Sequence, residues 1–134
     1  MSQIKVMLID DELGFTSIFT ERLILRDIDV VAVNTAEDAF AKLKEFLPDI
    51  ILLDLKMPGM NGIEMLKILK KYDPAIDVII ITGHGLGLDR EEAVKMGALE
   101  MLLKPIDINE VVKMIENAYK KKNMEQDFLK TNKI

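Results

Sequence analysis

Five short apolar runs, each followed by a longer stretch with helical spacing, limit what this chain can fold into more than any other feature of it. Residues 4–9, 30–33, 50–53, 78–81 and 101–103 are rich in Val, Ile, Leu and Met and read as strands. They are apolar without alternation, as expected of strands covered on both faces. Residues 13–26 carry Phe15, Ile18, Phe19, Leu23 and Leu25 near helical spacing. Thr35 caps a second helix that runs to about residue 46, with Asp38 three positions on as an approximate capping box. A third covers residues 63–72 and ends at Asp73-Pro74. A short fourth covers 91–96, with Gly97 as its stop. The last opens at Asp107, with Glu110 placed for a second capping-box pair, and continues to about 121. Residues 57–62 and 83–87 read as loops by their Gly and Pro content. Strands that alternate with helices pair in parallel, because each crossover returns the chain to the same edge.

Composition narrows the function classes. The chain has 134 residues and fits one domain. Its net charge of −5 argues against direct nucleic-acid binding. With no cysteine, neither disulfides nor thiolate chemistry is available, which fits a cytoplasmic setting. The first apolar run turns acidic at Asp10, too early for a signal peptide or a membrane span. Residues 1–122 are read as the domain, and 123–134 as an extension of the last helix or a frayed tail.

In a parallel sheet the C-terminal ends of all strands share one edge, and ligands bind there. Asp10, Asp11 and Glu12 follow the first strand, Asp54 ends the third, Thr82 the fourth and Lys104 the fifth. Close carboxylates raise one another's pKa unless a cation neutralises them. Oxygen ligands of this kind suit Mg²⁺. A lysine and a hydroxyl can hold phosphoryl oxygens, and a carboxylate can attack phosphorus to give an aspartyl phosphate. Gly83, Gly85 and Gly87 fit neither a Walker loop nor a dinucleotide fingerprint and are read as a hinge.

At these residues the sequence resembles the receiver domain of two-component response regulators. The matching pieces are LIDDE with Asp10 and Asp11, DIILLDLKMPGMNGIEML around Asp54, ITGHG with Thr82, and LLKP with Lys104 before Pro105. They cover residues 4 to about 121. The resemblance implies a three-layer, doubly wound, flavodoxin-like α/β fold with a five-stranded parallel sheet in the order 2-1-3-4-5; a receiver protein is among the standing examples of that order. It implies Asp54 as phosphoacceptor, with Mg²⁺ or Mn²⁺ held by Asp10, Asp11, Asp54 and the backbone carbonyl of Lys56. Thr82 and Lys104 would bind the phosphoryl oxygens, and the bond before Pro105 would be cis. His84 is read as a loop residue that tunes dephosphorylation. Met101 stands where the family commonly has Tyr or Phe, and Ile106 where Phe often follows the proline, which places the usual aromatic read-out in question.

The implied partners are a sensor histidine kinase or histidine phosphotransfer protein as donor. The fourth helix, fifth strand and last helix would form a switched face that takes an output partner or, on phosphorylation, a second copy. Ala93, Met96, Met101 and Ile106 are candidate contacts on it, with core burial as the competing reading. The domain is read as a phosphoacceptor module, not an enzyme beyond its own phosphorylation and dephosphorylation. The alternatives are a small Mg²⁺-dependent phosphatase with an aspartate nucleophile, which would place its nucleophile after the first strand, and a degenerate receiver used only for docking.

Overall fold

A computed structural model describes residues 3–57, 59–83 and 88–131. The chain runs β1 (Lys5–Ile9), α1 (Leu13–Ile24), β2 (Asp29–Val33), α2 (Ala36–Leu43), β3 (Ile50–Asp54), α3 (Gly62–Tyr72), β4 (Asp77–Thr82), α4 (Arg90–Lys95), β5 (Glu100–Leu103) and α5 (Ile108–Thr131). The five strands form one parallel sheet in the order β2-β1-β3-β4-β5. This is the doubly wound receiver topology that the motifs imply.

Two apolar clusters lie on opposite faces of the sheet, and the period of two in each strand assigns residues to them. Met7, Ile9, Ile51 and Leu53 face one side, where Ala39 and Leu43 of α2 and Met65, Leu66 and Leu69 of α3 cover them. Val6, Leu8, Ile50 and Leu52 face the other, under Phe19 and Leu23 of α1 and Val111 and Ile115 of α5. Because both faces are buried, every position of β3 is apolar until Asp54, and all five of its residues are buried.

Local signals set the helix ends. The Thr35 hydroxyl accepts the Asp38 N–H at 3.1 Å, and Asp107 accepts the Asn109 N–H at 2.9 Å, in place of a reciprocal pair with Glu110. Gly97 follows α4 with φ +110°, a conformation glycine adopts without strain.

Two regions differ from the sequence reading. The segment read as a loop at 57–62 contains a two-residue antiparallel hairpin, Lys56–Met57 with Met60–Asn61, and α3 starts directly after it. At its exit Gly62 lies so close to β3's end that a Cβ would sit 2.3 Å from the Leu55 Cα. The last helix also runs ten residues past the expected 121, to Thr131. Its final turns are polar with scattered apolar residues, a pattern that carries little burial signal and so left the end open.

Candidate functional site at the carboxyl edge of the sheet

Asp10 follows β1 and is fully buried. Its backbone continues the sheet pairing, with its N–H donating to the Val33 carbonyl at 3.1 Å. Its side chain accepts the Glu12 N–H at 2.9 Å on one oxygen and the Lys104 ammonium at 2.7 Å on the other. Asp54, at the end of β3, is 3% exposed and accepts the Lys56 N–H at 3.2 Å. Thr82 ends β4 and is fully buried, and its carbonyl accepts the Lys104 N–H at 2.8 Å. Asp54 and Thr82 face a cleft of about 450 Å³ lined also by Asp11, Glu12, Lys56, Met57 and Gly83, and Asp10 and Lys104 lie beside Asp54.

The electrostatics follow from burial. Desolvation, helped by the neighbouring Asp10 charge, pushes the Asp54 carboxyl up to about 6, against the Lys56 N–H and the Lys104 charge that pull it down. For Lys104, burial works to lower the pKa, but its bonds to Asp10 and Glu12 and the charges of Asp10 and Asp54 outweigh it and hold the ammonium above its ordinary range. Lys104 is therefore charged at neutral pH. It lies 2.7 Å from Asp10, 3.0 Å from Glu12 and 3.8 Å from Asp54. Its resting partners are the two acids after β1, with Asp54 a more distant third.

The structure brings Asp10, Asp54, Thr82, Lys104 and Lys56 to one edge, with Asp11 lining the cleft half-buried. Carboxylate oxygens of Asp10, Glu12 and Asp54 lie within 4.8 Å of one another, so the tightest acidic group holds Glu12 where the motif reading put Asp11. These hard oxygen donors fit a divalent cation of the Mg²⁺ type, because one ammonium stands among three carboxylates. The sequence puts Glu12 on this edge and Phe15 on the first helix but assigns neither a role at the site. Glu12 is the N-cap of α1, yet its side chain makes no capping bond and turns to Lys104 instead. The Lys104 ammonium also sits 4.3 Å from the Phe15 ring centroid, and Phe15 stacks on Phe19 at 5.0 Å. A helical wheel places Phe15 only on the buried face of α1.

The Lys104–Pro105 peptide is cis, as the resemblance implies. Met101 is half-buried and packs against the cluster under α2, α3 and α4. His84 lies outside the described residues, as do Gly85 and Gly87 of the expected hinge. Of the four candidate contacts on the switched face, Ala93 is fully buried and belongs to the core, Met96 and Met101 pack against the same cluster, and Ile106 is half-buried against the cluster on the other face of the sheet. Among the described residues of α4 and β5 the large apolar side chains exposed are Val94 and Leu103. The helix spacing of Ala93 had left both readings open, and only the position of α4 against β5 decides between them.

A family model described as response regulator receiver domain matches residues 6–116. The chain is 32% identical over 114 residues to the luminescence regulatory protein LuxO of Vibrio campbellii, which covers 85% of this chain and 25% of LuxO. It thus spans about a quarter of the curated relatives it matches. The signal receiver domain of a LuxO-type repressor from Vibrio parahaemolyticus superposes with a TM-score of 0.84 at 27% identity, covering 92% of this chain and 95% of the other. The beryllofluoride-activated NtrC4 receiver domain, solved as a dimer, superposes with a TM-score of 0.80 at 31% identity, covering 88% and 98%.

Proposed function

The chain belongs to the response-regulator receiver domain family, and from that membership we propose that it takes a phosphoryl group on Asp54 from a phosphohistidine donor. A receiver domain of two-component regulators is a signalling domain, and its acidic pocket of Asp10, Glu12 and Asp54 is consistent with a phosphoacceptor aspartate and Mg²⁺. The observation that carries the finer reading is the position of Asp54. It is buried at the end of the central strand and opens on the cleft beside Thr82, with Asp10 and Lys104 next to its carboxylate.

In the proposed reaction an Asp54 carboxylate oxygen forms a bond to phosphorus as the bond from phosphorus to the donor's imidazole nitrogen breaks. The nitrogen leaves with the electron pair and is neutralised by a proton from solvent. Asp10, Asp54, the Lys56 carbonyl and Asp11 or Glu12 would hold Mg²⁺ or Mn²⁺, whose role is to neutralise charge on the phosphoryl oxygens. The Lys56 N–H already reaches an Asp54 oxygen and keeps the carboxylate oriented. Thr82 and Lys104 bind the phosphoryl group once it has formed. To do so the Lys104 ammonium turns from Asp10 and Glu12 toward Asp54, a redistribution of contacts that only the phosphorylated state rewards. Pro105, Met101 and His84 are proposed to modulate the switch.

Residues 1–122 are taken as the receiver unit and 123–134 as an extension of the last helix or a frayed tail, of which the described part is helical to Thr131. The proposed donor is a sensor histidine kinase or phosphotransfer protein, which places the domain in the cytoplasm, where ATP charges such donors. Among the described residues no helix is long and apolar enough to cross a membrane. The switched face is α4, β5 and α5, taking an output partner or a second copy on phosphorylation; the dimeric NtrC4 receiver supports the second. The test is incubation with Mg²⁺ and a small acyl-phosphate donor, followed by mass spectrometry. A single adduct on Asp54 is expected, and a full-level adduct in Asp54→Asn refutes the assignment.

A further inference from the structure

Few apolar contacts hold α4 on the sheet. Of its residues only Ala93 is buried, with Leu88 just before the helix as a second apolar anchor. A helix this short does not stand by itself in water. Its capping bond, from the Glu92 N–H to the Asp89 carboxylate at 2.8 Å, is local and does not fasten it to the sheet. Past the last turn, backbone ties the chain down. The Ala98 N–H donates to the Ala93 carbonyl at 3.0 Å, and the Leu99 N–H donates to the Val78 carbonyl of β4 at 2.7 Å. The exit of α4 is therefore fixed to the sheet by its backbone.

At the entrance, Arg90 makes a two-point ion pair with Glu100, the first residue of β5. Its Nε donates to one carboxylate oxygen and its Nη2 to the other, the second bond at 3.0 Å. The arginine side chain is 67% exposed and the glutamate 19%. A Glu100 oxygen also accepts the Met101 N–H at 3.1 Å, so the acid is fastened to β5 and the guanidinium is the half free to leave. The bonds from Arg90 hold the Glu100 carboxyl below its ordinary range against the effect of burial, and the pair is ionised at neutral pH. Glu100 lies beside Ile79, back from the carboxyl edge where Thr82 lies beside Leu103. The chain leaves that edge at Thr82 and enters α4 at Arg90.

We propose, on the reading of Asp54 as phosphoacceptor, that the Arg90–Glu100 pair is an autoinhibitory clasp, which keeps α4 on β5 at rest and opens when the phosphoryl group draws the end of β4 toward Asp54. The shift carries Arg90 away from Glu100, which stays with β5. A contact made in one arrangement and lost in the other stabilises only the first. By linkage, the factor by which the clasp favours the resting arrangement is the factor by which it weakens a phosphoryl mimic at Asp54. A two-point pair with one exposed partner supplies a factor of about three at low salt.

The test is titration of the full chain with beryllofluoride at saturating Mg²⁺, read by amide NMR. Arg90→Gln and Glu100→Gln should each bind beryllofluoride about threefold more tightly than wild type at low salt. The double variant should bind no more tightly than either single one, because both remove the same contact. Arg90→Lys, which keeps the charge but not the two-point geometry, should fall between wild type and Arg90→Gln. Amide exchange over residues 89–96 should be faster in the variants than in wild type before any beryllofluoride is added. A variant that is merely less stable gains no affinity for the mimic. Wild type that binds no beryllofluoride overturns the reading of Asp54, and the clasp with it. Wild type that binds, with single variants that bind equally or more weakly, overturns the clasp alone, as does a double variant in which the two gains multiply.

Discussion

Removing the charge of Asp54 should stabilise the protein, and the gain should depend on pH. Asp54 ionises near 6 in the fold against 3.8 in the unfolded chain, chiefly because burial disfavours its charged form. Its folded pKa is the higher, so stability is fully present below the unfolded value and is lost as pH rises through the folded one. At about 1.36 kcal/mol per unit, the full separation corresponds to roughly 3 kcal/mol near pH 7.5, about half of that near pH 5, and under 1 kcal/mol near pH 4. Asparagine keeps an oxygen for the Lys56 N–H, now at 3.2 Å, and gives up the 3.8 Å attraction to Lys104. Asp54→Asn is therefore expected to be more stable than wild type by about 1–3 kcal/mol near pH 7.5 without metal, with the advantage shrinking steadily toward pH 4. Urea denaturation of both proteins at a series of pH values reads this directly. Millimolar Mg²⁺ should narrow the gap by stabilising the wild type more than the variant. An advantage that is absent at pH 7.5, or equal at pH 4 and 7.5, refutes the account of Asp54 as a desolvated, under-neutralised carboxylate.

Mg²⁺ affinity by titration should fall at least tenfold in Asp10→Asn, and comparing Asp11→Asn with Glu12→Gln identifies which acid completes the set; a larger loss in Glu12→Gln is expected if the 4.8 Å group is the ligand set. In Lys104→Ala, mass spectrometry should still detect phosphorylation, while the change in amide exchange over residues 83–106 on adding beryllofluoride should shrink; an exchange change of full size removes the lysine as reporter. Gly62→Ala should destabilise by about 1–3 kcal/mol in thermal melts, because its Cβ meets backbone at Leu55 that cannot move aside without shifting the end of β3. Phe15→Leu should keep Tm within a few degrees and speed Asp54 phosphorylation by small donors, because it loosens the resting position of Lys104; an unchanged rate makes Phe15 a core residue only.

Much of the molecule follows from the order of residues. Five apolar, non-alternating runs separated by helical stretches can hardly do other than build a parallel sheet covered on both sides, and Val6 to Ile9 divide between its two clusters as their parity requires. The parallel arrangement in turn brings the residues after β1, β3, β4 and β5 to one edge, which is why Asp10, Asp54, Thr82 and Lys104 were legible as a group. Spacing does not say where a flexible side chain ends. Lys104 has a long stem within reach of three carboxylates and an aromatic face. Its choice of Asp10, Glu12 and Phe15 over Asp54 depends on how α1 leaves β1 and turns its first residues over the cleft. Likewise Ala93 sits in a helix whose apolar positions suit either a surface or a core, and only its packing against β5 buries it. Periodicity fixes the face and the sheet edge a residue occupies, because these are properties of the backbone; the partner of a buried charge is fixed by competition among side chains from distant segments, and that competition exists only once the tertiary structure has formed.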